Sequence, residues 1–132
     1  MKLITRDTDY ALRAVCFIAK AKNRKVSVSE LVKELKMPQP FLRKILQILN
    51  NKGILCSCKG AGGGFVLAKP VKDIFLTELL EIFQGPLKLN ECFFKKMKCP
   101  NERTCLLRKK INNIEKYVVN ELGSISIASL LK

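Results

Sequence analysis

The stretch "PQPFLRKILQILNNKGILCSCKGAGGGFVLAKP", residues 38–70, decides the fold of this sequence. Its first half predicts an amphipathic helix, because a proline suits the first helical turn and apolar residues then recur at helical spacing. Gly53 stands where a left-handed helix end belongs. Its second half predicts two short strands joined by a glycine-rich turn that carries Lys59. The residues expected to face inward from the helix are Phe41, Leu42, Ile45, Ile48 and Leu49.

A shorter helix is predicted immediately before this stretch. In "VSVSELVKEL", residues 26–35, Ser27 and Glu30 make a capping box, in which the serine hydroxyl meets a backbone amide and the glutamate reaches back. Residues 8–21 predict a further amphipathic helix. Two short helices joined by a tight turn and followed by a hairpin predict a mainly α fold with a small β-hairpin wing, which is a winged helix-turn-helix.

The rest of the chain predicts two more helices. "LTELLEIFQG", residues 76–85, is expected to be capped by Thr77 and stopped by Gly85. A long helix from about residue 104 to 122 carries a heptad seam, which either packs on its own domain or, as its length favours, pairs with a second copy. We expect one continuous domain over 1–132, with the winged helix-turn-helix at 1–85, a cysteine loop at 86–104, and a dimerisation helix with a docked tail at 105–132. The predicted dimerisation residues are Leu107, Ile111, Ile114 and Val118.

The charge of the chain indicates a polyanionic partner. Its 132 residues include 25 Lys and Arg against 11 Asp and Glu, a net charge of +14, and residues 1–70 hold 14 of the basic residues but 4 of the acidic ones. This one-sided field suits double-stranded DNA, although a solvated basic face is the plainer alternative. The absence of histidine and of phosphate-binding glycine motifs argues against an enzyme with a small-molecule substrate. Because no signal-type or membrane-spanning apolar run is present, we expect a cytoplasmic protein.

The first turns of the helix that follows Pro38 are the expected reading surface. Such a helix enters the major groove with its N-terminal turns, and Arg43 is suited to a bidentate contact with guanine. Other basic residues are expected to contact phosphates, which fixes register without reading sequence. A two-fold dimer predicts a palindromic operator. The predicted DNA-binding residues are Gln39, Pro40, Arg43 and Lys44 on the helix, Lys59 on the wing, and Arg6, Lys2 and Lys52 at the phosphates.

Six cysteines indicate metal or redox chemistry. Three of them, Cys92, Cys99 and Cys105, lie in "NECFFKKMKCPNERTCLL", residues 90–107. In a reducing cytosol such a triad suggests metal ligands or redox thiols before structural disulfides. Thiolates are the preferred ligands of iron–sulfur clusters, and the lysines between the first two cysteines would offset the charge of an anionic cluster. Zinc binding and simple redox chemistry stay open. The remaining cysteines are expected to be packing residues, two of them on one strand face with some scope for redox sensitivity: Cys16, Cys56 and Cys58.

Four segments together resemble the IscR/NsrR-type (Rrf-two) family of bacterial winged helix-turn-helix regulators. They are "DYALRA" at 9–14, "FLRKILQILNNKGIL" at 41–55, "KGAGGGFVLAK" at 59–69, and the cysteine triad. The resemblance implies a homodimeric transcription factor, with repression as the expected mode, whose DNA affinity is set by an iron–sulfur cluster. It also implies that Lys59 enters the minor groove from the wing.

The fourth cluster ligand is where the sequence departs from one branch of the family. That branch has a histidine three positions after the last cysteine, and this chain has Arg108. Another branch uses an acidic residue of the first helix, reaching across from the partner subunit, and the matching position is Asp9. Asp7 is a neighbour that could substitute, and the plainer alternative for Asp9 is a helix-start residue favoured by the helix dipole. The resemblance therefore favours a [4Fe-4S] cluster over a [2Fe-2S] cluster. The alternative is a cluster-free regulator of the same fold that senses the redox state of its thiols.

Overall fold

The computed structural model describes residues 3–22, 24–60, 62–89 and 105–131, and its helices and strands confirm the predicted winged helix-turn-helix. In these ranges none of the helices combines the length and apolar character that a membrane crossing requires. The helices are α1 (Arg6–Lys20), α2 (Val28–Leu35), α3 (Gln39–Asn51), α4 (Leu76–Gln84), α5 (Leu106–Gly123) and α6 (Ile127–Leu130). The strands are β1 (Leu55–Cys58) and β2 (Gly64–Leu67), and a single 3-10 turn covers Val71–Asp73.

Helix α2 begins as the sequence predicts, but only half of the capping box forms. The Ser27 hydroxyl accepts a hydrogen bond from the backbone N–H of Glu30 at 3.1 Å. The carboxylate of Glu30 does not reach back; it accepts two hydrogen bonds from the Arg24 guanidinium, at 2.9 and 2.7 Å. A nearby guanidinium competes well for a carboxylate because it offers two charged donors in a fork.

Helix α3 is held by the core along one face, as its apolar spacing predicts. Leu42, Ile45, Leu46 and Leu49 are buried, and Phe41 packs half-buried against the same cluster. Ile48, also predicted to face inward, is half-buried. Helices α1 and α2 both pack against α3, and the core lies between them. The predicted left-handed end is confirmed, since Gly53 has a φ of +80°. The N-terminal turns of α3 are thereby fixed in space while its other face stays exposed.

The wing is a two-stranded antiparallel sheet with Leu55 opposite Leu67 and Cys58 opposite Gly64. It is braced at two places. The backbone of Val26, just before α2, exchanges hydrogen bonds of 3.0 and 2.8 Å with Phe65. The Asn50 side chain accepts a hydrogen bond from the N–H of Ser57 at 3.2 Å, which ties β1 to the last turn of α3.

The start of α4 differs from the prediction. Phe75, not Thr77, is the N-cap, and its N–H donates to the Glu78 carboxylate at 3.2 Å. Lys69 pairs with the same carboxylate at 2.6 Å. The reason lies far along the chain, because Phe75 forms a backbone bridge to Ser126 and this bridge fixes where the helix can begin.

The C-terminal tail docks onto its own chain. Ile127 is fully buried, and its N–H donates to the carbonyl of Ile74 at 2.8 Å. The N–H of Leu76 donates in turn to the carbonyl of Ile125 at 3.0 Å. Helix α4 packs against both α1 and α5, whereas α5 has no buried residue of its own.

Candidate DNA-binding surface and cysteine site

The residues predicted to read DNA form one exposed surface at the start of α3. Helix α3 has Pro38 as its N-cap and Gln39 as its first residue, and no acidic residue lies in its first turn. The side chains that face away from the core are all exposed: Gln39, Pro40, Arg43, Lys44 and Gln47. The positive end of the helix dipole and two basic side chains therefore present the same sign of charge to solvent.

Arg6 joins this surface through an aromatic contact that the sequence does not reveal. Its guanidinium carbon lies 4.6 Å from the centroid of the Phe41 ring, in the cation–π range. Tyr10 meets the same ring edge-on, with centroids 5.9 Å apart. Because Phe41 belongs to the first turn of α3, the Arg6 charge is placed beside the reading turns.

The other predicted phosphate contacts lie elsewhere. Lys52 is the C-cap of α3, at the opposite end from Arg43, where it lines a cleft of about 380 Å³ with Glu78 and Glu81. Lys59 is exposed at the wing tip, directly before Gly60, whose φ is +97°. Lys2 lies outside the described residues.

A glutamine that no sequence pattern singles out holds the start of α1. The Gln84 side-chain oxygen accepts a hydrogen bond from the N–H of Thr5 at 2.8 Å, and its amide nitrogen donates to the carbonyl of Leu3 at 3.1 Å. Thr5 is the N-cap of α1. No local pattern could have identified this contact, because the two segments are about eighty residues apart in the sequence.

Of the predicted cluster ligands, Cys105 and Asp9 can be placed. Cys105 is half-buried at the N-cap of α5. Asp9 lies in the first turn of α1, 41% exposed, with its carboxylate 3.0 Å from the Arg13 guanidinium. Cys92 and Cys99 lie outside the described residues. Within the described part of a single chain, no three Cys, Asp or Glu side chains gather into a potential metal site.

Of the other three cysteines, Cys16 is half-buried on α1 and two lie on the wing. Cys16 packs against the core as predicted, and burial raises the pKa of its thiol against the opposing effect of Lys20. The prediction that Cys56 is a packing residue is wrong, because its side chain is exposed. Cys58 is half-buried. Along β1, Leu55 is buried, Cys56 and Ser57 are exposed and Cys58 is half-buried.

Helix α5 presents an apolar face that the described residues of its own chain leave open. Leu107 is 67% exposed and Ile114 is 53% exposed, while Ile111 and Val118 are half-buried. Tyr117, at 66% exposure, widens the apolar face beyond the predicted seam. An amphipathic helix with this much exposed apolar surface is typical of an interaction face.

Known proteins share this sequence pattern and this fold. The family model described as "Rrf2: Iron-dependent Transcriptional regulator" matches residues 4–132. An HTH-type transcriptional regulator of Aquifex aeolicus is 31% identical over 92% of this chain and 86% of its own length. The regulator NsrR of Oceanobacillus iheyensis is 29% identical over 87% of this chain and 85% of its own length.

Two solved structures show the same architecture. CymR, the global cysteine regulator of B. subtilis, superposes with a TM-score of 0.80 at 23% identity, covering 99% of this chain and 97% of its own. IscR of T. potens has a TM-score of 0.78 at 21% identity, covering 99% of this chain and 86% of its own. At these identities the likeness concerns the fold.

Proposed function

Because the chain belongs to the Rrf2 family of transcriptional regulators, we propose that it binds a palindromic operator as a homodimer, with an affinity set by an iron–sulfur cluster. Its family and relatives are regulators, not enzymes. The observation that carries the DNA-binding part is the exposed, basic N-terminal surface of α3. The parts that concern the cluster and the dimer rest on the cysteine triad and on the open apolar face of α5.

The reading surface supports a division of roles. Arg43 and Lys44 lie on the exposed first turns of α3, where side chains reach base edges in the major groove. The Arg6 guanidinium lies over the Phe41 ring, beside the first turn of α3. A charged group at this position is suited to contact a DNA phosphate. Lys59 at the wing tip would reach the neighbouring minor groove. Together these residues would grip one half-site per subunit.

The donor set fits an iron–sulfur cluster. Three thiolates from Cys92, Cys99 and Cys105 match the ligand preference of such clusters. Cys105 lies at the N-terminus of an 18-residue helix, whose dipole favours an anionic group at that position. The cluster would supply a charged centre whose integrity responds to iron, oxygen or redox chemistry. The chain has no histidine for a histidine-ligated [2Fe-2S] cluster. The family resemblance then implies a [4Fe-4S] cluster with a carboxylate as fourth ligand.

Asp9 from the partner subunit is the proposed fourth ligand. Its carboxylate now pairs with Arg13, and exposed pairs of this type contribute about 1 kcal/mol or less, so the pair would open at little cost. Ligation would then connect the cysteine site of one subunit to the first turn of α1 in the other. Loss of the cluster would release that connection and change the placement of the reading surface.

The decisive experiment is purification without oxygen, followed by an absorption spectrum and measurement of iron and sulfide content. We expect a brown protein with equal iron and sulfide, and operator binding that changes when the cluster is removed. Replacement of Cys92, Cys99 and Cys105 by serine should abolish the colour, whereas Cys56→Ser and Cys58→Ser should leave it. A colourless, iron-free protein whose operator binding survives the triple replacement unchanged would refute control by a cluster.

The exposed thiol of Cys56 supports a second candidate, a cluster-free regulator that senses thiol oxidation. An exposed thiol on the wing would be accessible to peroxide or to a low-molecular-weight disulfide. This candidate predicts a colourless protein whose DNA affinity changes on treatment with peroxide and recovers with dithiothreitol. Cys56→Ser should remove that response if the wing thiol is the sensor. This role for Cys56 is excluded if the protein contains the cluster and peroxide leaves the DNA affinity of both the wild type and the Cys56→Ser variant unchanged.

A further inference from the structure

Gln84 connects the end of α4 to the beginning of α1. Both polar atoms of its side chain are used, the oxygen by the N–H of Thr5 at 2.8 Å and the nitrogen by the carbonyl of Leu3 at 3.1 Å. A glutamine that both accepts from and donates to one backbone segment fixes the position of that segment in two directions. Since Thr5 is the N-cap of α1, Gln84 fixes where this helix starts.

The first residue after that cap is Arg6. Its guanidinium lies over the ring of Phe41 at 4.6 Å, and the Tyr10 ring meets Phe41 from the side. The position of Arg6 therefore depends on two supports. Phe41 supports its charged end from α3, and Gln84 supports its backbone through the cap of α1.

We propose that Gln84 is a positioning residue for DNA binding, which acts by holding Arg6 in place beside the reading turns of α3. The inference rests on the proposed DNA-binding function. An arginine side chain has much conformational freedom, and holding it in a binding geometry beforehand reduces the cost of ordering it on the phosphate backbone. Gln84 does not need to touch DNA to have this effect.

The position of Gln84 gives this role a regulatory consequence. It is the last residue of α4, and α4 also packs against α5. Just beyond α4, the N–H of Leu89 donates to the Glu115 carboxylate on α5 at 3.2 Å, and Lys88 pairs with the same carboxylate at 3.7 Å. A displacement of α5 would thus reach Arg6 through α4 and Gln84.

The test is a double-mutant cycle of Gln84→Met and Arg6→Ala in the full-length protein. Methionine keeps the volume of glutamine and removes both hydrogen bonds. The probe is a fluorescent duplex of mixed sequence and about 30 base pairs, long enough for two half-sites, titrated at several KCl concentrations. Gln84→Met should weaken binding roughly twofold to tenfold, the range that corresponds to one net hydrogen bond. Arg6→Ala should weaken it too and reduce the salt slope by about one unit for each phosphate that Arg6 neutralises.

The decisive value is the coupling between the two changes. If Gln84 acts through Arg6, Gln84→Met has little further effect once Arg6 is alanine, whereas a general loss of stability weakens both backgrounds equally. Equal effects in both backgrounds, or no effect in either, overturn the proposal. Phe41→Leu, which removes the ring but keeps an apolar side chain, should show the same dependence on Arg6. A wild-type protein without salt-dependent DNA binding would instead refute the proposed function itself.

Discussion

Arg43 and Lys52 lie at opposite ends of α3, and we expect their replacement to have different effects on DNA binding. Arg43→Ala should relax base preference at one symmetric operator position and cost about 1–3 kcal/mol, because alanine cannot form the two hydrogen bonds of arginine to a guanine. Lys52→Ala should weaken all sequences alike and flatten the salt dependence by about one unit of slope. Titrations of a selected operator and its single-base variants at several salt concentrations measure both effects. Identical profiles for the two variants would contradict this division of labour.

Substitution can distinguish the contribution of Asp9 to cluster binding from that of its neighbour Asp7. Asp9→Ala should change the absorption spectrum of the cluster or speed its loss, because one iron then needs another ligand. Asp7→Ala is the matched control, since it removes a carboxylate from the same helical turn and should leave the spectrum intact. Spectra and decay rates recorded without oxygen give the answer. An unaltered spectrum and decay rate after Asp9→Ala would exclude Asp9 as a ligand.

Cys16 and Cys56 should differ in reactivity and in pH dependence. Burial raises the pKa of the Cys16 thiol, so its reactive thiolate form is less populated near neutral pH and increases only as the pH rises beyond the ordinary thiol range. Cys56 is exposed and should react first. Labelling with iodoacetamide between about pH 7 and 9.5, followed by peptide mass spectrometry, measures both rates. Labelling of Cys16 as fast as Cys56 at pH 7 would contradict the burial seen in α1.

At the scale of the elements, the attachment of the wing to α2 leaves no room for a side chain at Gly64. A Cβ atom at this position would lie 2.5 Å from the carbonyl oxygen of Val26, which is a backbone atom with little freedom to move. Gly64→Ala should therefore lower the free energy of unfolding by about 1–3 kcal/mol, the usual cost of overpacking. Urea denaturation measures the change.

Gly123 in α5 is the control for this substitution. A Cβ atom there would meet nothing within 4 Å, and its φ is not in the left-handed region. Gly123→Ala should leave the stability unchanged or raise it by up to about 1 kcal/mol, because alanine favours the helix. Equal losses of stability from both substitutions would show that the close approach of Val26 is not the cause.

The elements were predictable where local sequence determines them. Apolar spacing identified α1, α2 and α3, and Ser27 and Gly53 marked helix ends that the structure confirms. Thr77 failed as a cap because the start of α4 depends on a backbone bridge to Ser126, about fifty residues away. The exposure of Cys56 was missed for a similar reason. Alternation along a strand does not reveal which of its two faces packs on the core.

For the whole molecule, the open apolar face of α5 predicts assembly into a dimer. Ile114→Lys should convert the dimer to a monomer, since burying an isoleucine side chain stabilises by about 1.5–3 kcal/mol and a buried lysine opposes the contact further. Asn113→Lys, at the adjacent exposed polar position, adds the same charge and should leave the dimer intact. Sedimentation equilibrium distinguishes the two states. A wild-type monomer, or a dimer that survives Ile114→Lys, would contradict this use of the face.

The candidate site was only partly visible in the sequence. Exposure of Arg43 and Lys44 follows from helical periodicity, which is a local property. The placement of Arg6 over Phe41 and the contact of Gln84 with Thr5 follow from how α1, α3 and α4 pack together, so no sequence pattern contains them. The ligand roles proposed for Cys92 and Cys99 rest on residue type and on the family resemblance.

The two braces of the wing have a consequence for the choice of operator. Because Val26 and Asn50 tie the two strands of the hairpin to the ends of α2 and α3, the position of these strands relative to the reading turns is set before DNA arrives. Since the wing and the reading turns cannot move apart to fit the duplex, the duplex must deform to contact both. We expect flanking base steps that bend or narrow easily to be favoured even where no side chain touches them.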